Sequence, residues 1–227
     1  MNVAILVAAG RGARMGLDKL FLMVAGKPVV AHTWGRFEES PCIDQIVIVV
    51  RAGMERKFAA LAKDSHFRKK FQIVTGGAER QDSVWAGIEA APSKASIVAV
   101  HDAARPCVNN DLIAATVKYA EETGAAAAAH PVTDTIKESA DGRHIQKTLD
   151  RSQLWAMETP QTFRVDVIRR AIAAARAKKM KFTDDTAACE LIGQPVRLVS
   201  SIAPNPKVTV PGDLAIVEAL LASRNGH

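Results

Sequence analysis

Two cations, Arg14 and Lys19, share one short glycine-rich stretch near the amino terminus: Val7-Ala8-Ala9-Gly10-Arg11-Gly12-Ala13-Arg14-Met15-Gly16-Leu17-Asp18-Lys19. Gly10, Gly12 and Gly16 let the backbone approach an anion and aim its N–H groups at it. Arg14 and Lys19 could hold a triphosphate and neutralise charge on a reacting phosphorus. The chemistry is that of a nucleoside triphosphate, and the reaction class is nucleotidyl transfer. A tight turn with solvated basic residues is the plainer alternative. The paired cations, placed just after an apolar run, outweigh it. Two familiar phosphate loops fit poorly. Met15 stands where a dinucleotide fingerprint needs glycine, Arg51 stands where it expects an acid, and no Gly-Lys-Ser/Thr tripeptide marks a Walker loop.

Further along, an apolar run ends in His101-Asp102-Ala103-Ala104-Arg105-Pro106. A carboxylate at the carboxyl tip of a central strand is well placed for Mg²⁺, or another divalent cation, bridging phosphate oxygens. Arg105 could meet a second phosphate. A turn-forming aspartate with a surface arginine is the bland reading of that pair, and the first loop tips the balance towards function. Between the two lies Gly76-Gly77-Ala78-Glu79-Arg80-Gln81-Asp82-Ser83-Val84. Alone it is a glycine turn entering a helix capped by Asp82 or Ser83, and such a turn can present backbone groups to the edge of a base.

The elements that must carry these residues alternate short apolar runs with helical patterns, which predicts parallel strands joined by crossover helices. Strands are expected at residues 2–8, 46–50, 73–75, 97–100 and 125–130, and helices at 29–39, 54–62, 82–91 and 111–122. Asn109 or Asn110 is placed to cap the last of these. The pattern changes after Val132. Residues 133–138 and 144–149 read as two strands about an Asp141-Gly142 turn, and an isolated hairpin is marginal in water, so it must lean on another surface. Helices at 165–178 and 184–192, a strand at 196–199 and a helix at 211–222 complete the chain. Thr183 and Gly193 punctuate the second of those helices. The whole predicts an α/β protein: one Rossmann-like domain over residues 1–227, its sheet mostly parallel with helices on both faces, and a protruding β-hairpin arm at 131–155.

Composition narrows the partners. Hydrophobic residues make 48% and charged residues 24% of the 227, as in an ordinary globular chain, and the net charge of +6 suggests an acidic partner. One tyrosine and dispersed basic residues argue against a single-stranded nucleic acid. A small polyphosphate fits better. No stretch reaches membrane-spanning length. Cys42, Cys107 and Cys189 are far apart, odd in number and without metal-ligand spacing, which suits a reducing cytoplasm.

The first loop with the short segment after it resembles the sugar-phosphate nucleotidyltransferases. The ordered set of later segments resembles, more specifically, the 2-C-methyl-D-erythritol 4-phosphate cytidylyltransferases of the non-mevalonate isoprenoid pathway. These segments are residues 77–84 and 101–106, then Pro131-Val132-Thr133-Asp134-Thr135-Ile136-Lys137, Asp150-Arg151, Thr159-Pro160-Gln161, Phe182-Thr183-Asp184-Asp185 and Lys207-Val208-Thr209. The resemblance implies CMP transfer from CTP to 2-C-methyl-D-erythritol 4-phosphate with Mg²⁺. It assigns Arg14, Lys19 and Lys207 to the phosphates, and Ala8, Ala9, Gly10, Gly12, Gly77, Ala78 and Ser83 to the nucleotide. Relatives often carry an acid where Ala78 stands, and here only backbone is available. Asp102 and Arg105 would lie between nucleotide and acceptor, and Thr159 and Thr183 at the acceptor. Thr135 and Arg151 would reach from the arm of one subunit into the other, making a homodimer. Asp184 and Asp185 read as acids at a helix amino end. Transfer to another polyol phosphate, such as ribitol 5-phosphate, and a catalytically silent nucleotide-binding module are the rival readings.

Overall fold

The computed structural model describes residues 1–10, 18–182 and 184–224. Gly12, Arg14 and Thr183 therefore lie outside the described residues. In chain order the elements are β1 (Asn2–Ala8), β2 (Met23–Val24), β3 (Lys27–Pro28), α1 (Val29–Glu39), β4 (Gln45–Val50), α2 (Glu55–Asp64) and β5 (Phe71–Thr75). Then come α3 (Arg80–Ala90), β6 (Ile97–Asp102), α4 (Asn110–Thr123), β7 (Ala125–Pro131), β8 (Lys137–Glu138) and β9 (Lys147–Thr148). The chain ends with β10 (Trp155–Arg164), α5 (Val165–Ala177), α6 (Thr186–Leu191), β11 (Arg197–Ser200) and α7 (Asp213–Arg224).

Seven strands form one sheet in the order β11-β7-β10-β6-β1-β4-β5. Each described pairing is parallel except those of β10, which runs antiparallel to both β6 and β7. β1, β4 and β6 are continuous apolar runs because helices cover both sides of them. Alternate residues face opposite layers. Ala4, Leu6, Ile46 and Ile48 pack with α1, α2, α4 and α7, whereas Val3, Ile5, Val47 and Val49 pack with α3, α5 and α6. Each fully buried Ile or Phe in these layers contributes about 1.5–3 kcal/mol.

Helix ends follow their sequence signals in part. Asn109 caps α4, accepting from the Leu112 N–H at 2.9 Å, and Gly124 closes it with φ 93°. At α3 the cap is Glu79 rather than Asp82 or Ser83. Asp82 sits at the third helical position and completes the capping box from there.

The strand β10 was not foreseen in the sequence. Its middle holds Glu158, Thr159, Pro160 and Gln161, and polar residues and proline argue against a central strand. They are tolerated because the polar side chains have buried partners, and because pairing with β7 shifts register between Met157 and Gln161. The expected hairpin shrinks to two paired residues on each side, Lys137 with Thr148 and Glu138 with Lys147. Asp141 organises its turn by accepting the Arg143 and His144 N–H groups, each at 2.8 Å. Most of the arm is exposed, Ile145 at 67%.

Candidate active site

Chain order places the site. From β1 the chain runs outward to β4 and β5, then crosses back to add β6 on the other side of β1. In open α/β sheets ligands bind at such a switch point, beyond the carboxyl ends of the strands. Register aligns those ends, with Ala8 opposite Val50, Val50 opposite Thr75, and Val7 opposite Asp102. A cavity of about 650 Å³ opens above them, lined from the strand tips by Ala8, Ala9, Gly10, Arg51, Gly76, Gly77 and Asp102. Ala78, Glu79, Arg80 and Ser83 close it from the start of α3, and Lys19, Lys207 and Thr209 from the other side.

Sterics explain the glycine pair. A Cβ on Gly76 would meet Ser83 Oγ at 2.6 Å and Ala9 Cβ at 2.9 Å, and one on Gly77 would meet Asp82 Cβ at 2.3 Å. Only glycine lets this turn pack so closely against Ala9 and the first turn of α3.

Asp102 is the electrostatic centre. Lys207 Nζ lies 2.7 Å from its Oδ2, Arg105 Nε 3.6 Å from the same oxygen, and Arg80 Nε 3.7 Å from Oδ1. Burial works against the charge of this 8%-exposed carboxylate, but Lys207, Arg80 and Arg105 together hold it well below the usual range. Arg80 spans two acids. Its Nη1 donates to Asp185 Oδ1 at 2.9 Å, and its Nη2 lies 2.9 Å from Oδ2. Burial pushes the Asp185 carboxyl upward against the pull of Arg80. Asp184 accepts from the Thr186 hydroxyl at 2.8 Å and the Ala187 N–H at 3.2 Å, which fits its reading as a helix-end acid.

Beneath Asp102 lies a neutral relay. His101 Nε2 is 3.2 Å from the Arg105 carbonyl, so it must donate there. Its Nδ1 then accepts the Thr159 hydroxyl at 3.0 Å, and that hydroxyl oxygen accepts the Asp102 N–H at 3.1 Å. Burial lowers the imidazolium to about 4, so the ring is neutral across the physiological range.

Lys19 opens a short 3-10 turn, Lys19–Phe21, and its Nζ donates to the Val208 carbonyl at 2.7 Å. The preceding Asp18 is fixed by Arg51 Nη2 at 2.9 Å. The structure thus brings together Ala8, Ala9, Gly10, Lys19, Gly77, Ala78, Ser83, Asp102 and Lys207 around one cavity. Arg105 and Thr159 support its floor from outside the lining. Thr135 and Arg151 lie on the arm, where Arg151 Nη1 donates to the Thr133 carbonyl, and neither lines the cavity. Sequence reasoning missed Arg80, Arg51 and His101 as members of the site. For Arg80 the available signal was a cation at the first position of a helix entered from a glycine turn.

Among the described residues, no group of three or more His, Cys, Asp or Glu side chains converges as a metal cage. No helix of the described residues is long and apolar enough to cross a membrane.

The chain matches the model of the family IspD, 2-C-methyl-D-erythritol 4-phosphate cytidylyltransferase, over residues 2–223. A relative of that name from Pelotomaculum thermopropionicum is 42% identical, over 99% of this chain and 95% of that one. Another, from Symbiobacterium thermophilum, is 45% identical over 96% and 91%. The crystal structure of the 4-diphosphocytidyl-2C-methyl-D-erythritol synthase of Anaerococcus prevotii superimposes with a TM-score of 0.87 at 26% identity, covering 98% of this chain and 96% of that one. That of the Thermus thermophilus cytidylyltransferase gives 0.81 at 32% identity, over 98% and 100%. The chain belongs to the 2-C-methyl-D-erythritol 4-phosphate cytidylyltransferase family.

Proposed function

We infer that this cavity transfers CMP from CTP to 2-C-methyl-D-erythritol 4-phosphate, releasing pyrophosphate, a step of isoprenoid precursor synthesis. The observation that carries the reading is the convergence at one switch point of Arg80, Arg105 and Lys207, from three separate stretches of chain, around Asp102, with Lys19 lining the same cavity. The acceptor phosphate is already anionic at neutral pH, so a serine, cysteine or histidine nucleophile is not needed. One of its oxygens forms a bond to the α-phosphorus of CTP as the bond from that phosphorus to the β-phosphate oxygen breaks. The obstacle is repulsion between anions and in-line alignment, which cations and positioning overcome.

The backbone of Ala8, Ala9, Gly77 and Ala78, with Ser83, takes the cytosine and ribose. Gly10 and Gly12 line the phosphates, and Arg14 and Lys19 hold them and stabilise the charge that builds up in transfer. Lys207 grips the acceptor phosphate and Arg105 reinforces it from behind the lining, Asp102 keeps those cations in register, and Thr159, through its bond to the Asp102 N–H, and Thr183 complete the acceptor side.

Asp102 stands among cations as a single carboxylate, which fits a divalent ion carried mainly by the phosphates rather than one caged by protein. When bound, Mg²⁺ would be held by Asp102 together with the nucleotide and would offset the negative charge of the triphosphate. The exposed arm, with little apolar content of its own, supports a homodimer in which Thr135 and Arg151 complete the acceptor site of the partner. Three free thiols are in keeping with a cytoplasmic location.

Purified protein with Mg²⁺, each of the four nucleoside triphosphates and a panel of polyol phosphates tests the reading through pyrophosphate release. Release is expected only with CTP and methylerythritol phosphate. Lys19→Ala is expected to lower the rate by roughly 10²–10³-fold. Near-normal turnover of that variant at saturating CTP would overturn the assignment of Lys19, and release with ribitol phosphate instead would redirect the acceptor.

A further inference from the structure

Lys207 sits on a segment without regular structure, between β11 and α7, yet its ammonium meets Asp102 at 2.7 Å. Something other than a strand or helix must hold it there. A bracket of hydrogen bonds centred on Glu158 does so. Glu158 is 5% exposed, lies on β10 beside Thr159, and does not line the cavity. Its Oε2 accepts from the Ser201 hydroxyl at 2.8 Å and from Asn205 Nδ2 at 2.9 Å, and its Oε1 lies 2.7 Å from His130 Nδ1. One carboxylate oxygen thus ties down both ends of residues 201–205.

Asn205, 3% exposed, passes the constraint to the site. Its Nδ2 also donates to the Thr159 carbonyl at 2.8 Å, and its own carbonyl accepts Arg105 Nη1 at 2.7 Å. Two acceptors on Nδ2 fix which way the amide faces. Three residues on, the Val208 N–H donates to the Ala104 carbonyl at 2.8 Å. Lys207 lies between these anchors with its neighbours pinned to residues 104, 105 and 159, the same segments that carry Asp102 and its relay.

We propose that Glu158 and Asn205 are positioning residues for the transfer, acting together to hold Lys207 at the Asp102 cluster. This rests on the cytidylyl-transfer reading for its kinetic consequence, though not for its geometry. Neither residue touches the reacting atoms. A displacement near 1 Å at a group that must be aligned costs about 10²-fold in rate, so Asn205→Ala and Glu158→Ala are each expected to lower kcat/KM by roughly 10- to 100-fold. Glu158→Gln is expected to stay within about threefold of the parent, because Gln can turn its oxygen to Ser201 and Asn205 and its amide to His130 Nδ1.

The test is a double-mutant cycle joined to a spectroscopic readout. If the bracket works through Lys207, the double variant Asn205→Ala/Lys207→Ala loses no more activity than Lys207→Ala alone. Losses that multiply, or a Glu158→Gln variant as poor as Glu158→Ala, would overturn the proposal. Reductive ¹³C-methylation gives a Lys207 resonance, assigned by its absence from Lys207→Ala. That line is expected to move towards the exposed lysines in Asn205→Ala and to stay in place in Glu158→Gln. An unmoved line in Asn205→Ala refutes the positioning role even if the wild type proves inactive towards CTP and methylerythritol phosphate, a result that would instead sink the proposed function. Circular dichroism checks folding. Should Asn205→Ala not fold, Ser201→Ala, which removes one bond of the bracket, carries the same cycle with a smaller loss.

Discussion

Acidification should unfold this protein partly through one ring. His101 is fully buried and donates to one carbonyl while accepting one hydroxyl, so a second ring proton has no place to go. Burial lowers its folded-state value to about 4, against 6.5 when exposed. The unfolded chain therefore binds more protons between those values, and stability rises with pH across that window and falls as pH drops through it. The full gap corresponds to about 3 kcal/mol, of which roughly 2 kcal/mol is lost between pH 7 and 4.5. Urea unfolding at several pH values, for the parent and for His101→Gln, measures it. Other histidines titrate in the same range, so the difference between the two curves isolates this one. The variant is expected to start less stable, having lost the acceptor for Thr159, but to show a shallower slope by that amount. Parallel curves would refute the assignment of His101 as a buried neutral relay.

Two further outcomes follow from the ion pairs and the arm. Arg80→Met strands Asp185 without its cation at 0% exposure, and should cost about 3–5 kcal/mol in urea unfolding; adding Asp185→Asn should recover most of that, and an unchanged midpoint in the single variant would show the pair to be dispensable. Arg151→Ala should raise the acceptor KM about tenfold, roughly the 1–2 kcal/mol of a charge-assisted hydrogen bond, with the KM for CTP unmoved. An unmoved acceptor KM would remove Arg151 from the acceptor site.

Apolar runs made β1, β4 and β6 legible, because strands buried on both faces leave no other reading for short Val/Ile segments between helices. What they could not reveal was the end of β6. The run was read as stopping at Val100, yet His101 and Asp102 continue the strand, and this is why Asp102 is locked in register with Val7. β10 stayed hidden for the opposite reason. Its Glu158, Thr159 and Gln161 find partners on β6, on β7, just before α6 and on the 201–205 segment, and no local pattern reports partners so distant in the chain. Arg80 escaped because its acids lie 22 and 105 residues away. Lys207 was reached only through resemblance, since nothing about an irregular segment near the carboxyl end marks a lysine as the partner of Asp102.

The charges of the cavity suggest what those distant placements achieve together. The described lining carries Lys19, Arg51, Arg80 and Lys207 against Glu79 and Asp102. Arg51 is answered by Asp18, and Arg80 is shared between Asp185 and Asp102. Lys19 Nζ donates to a backbone carbonyl among its contacts, and Lys207 meets a carboxylate that two arginines also approach. A pair of opposite unit charges near 4 Å is worth about 4 kcal/mol at an effective dielectric near 20, so several cations around Asp102 exceed the cost of burying it. The carboxylate therefore stays ionised and holds mutually repelling cations together before any anion arrives. On the proposed function, a phosphate arriving at this cluster would meet donors already gathered, and would complete the charge balance of the site instead of having to reorganise it.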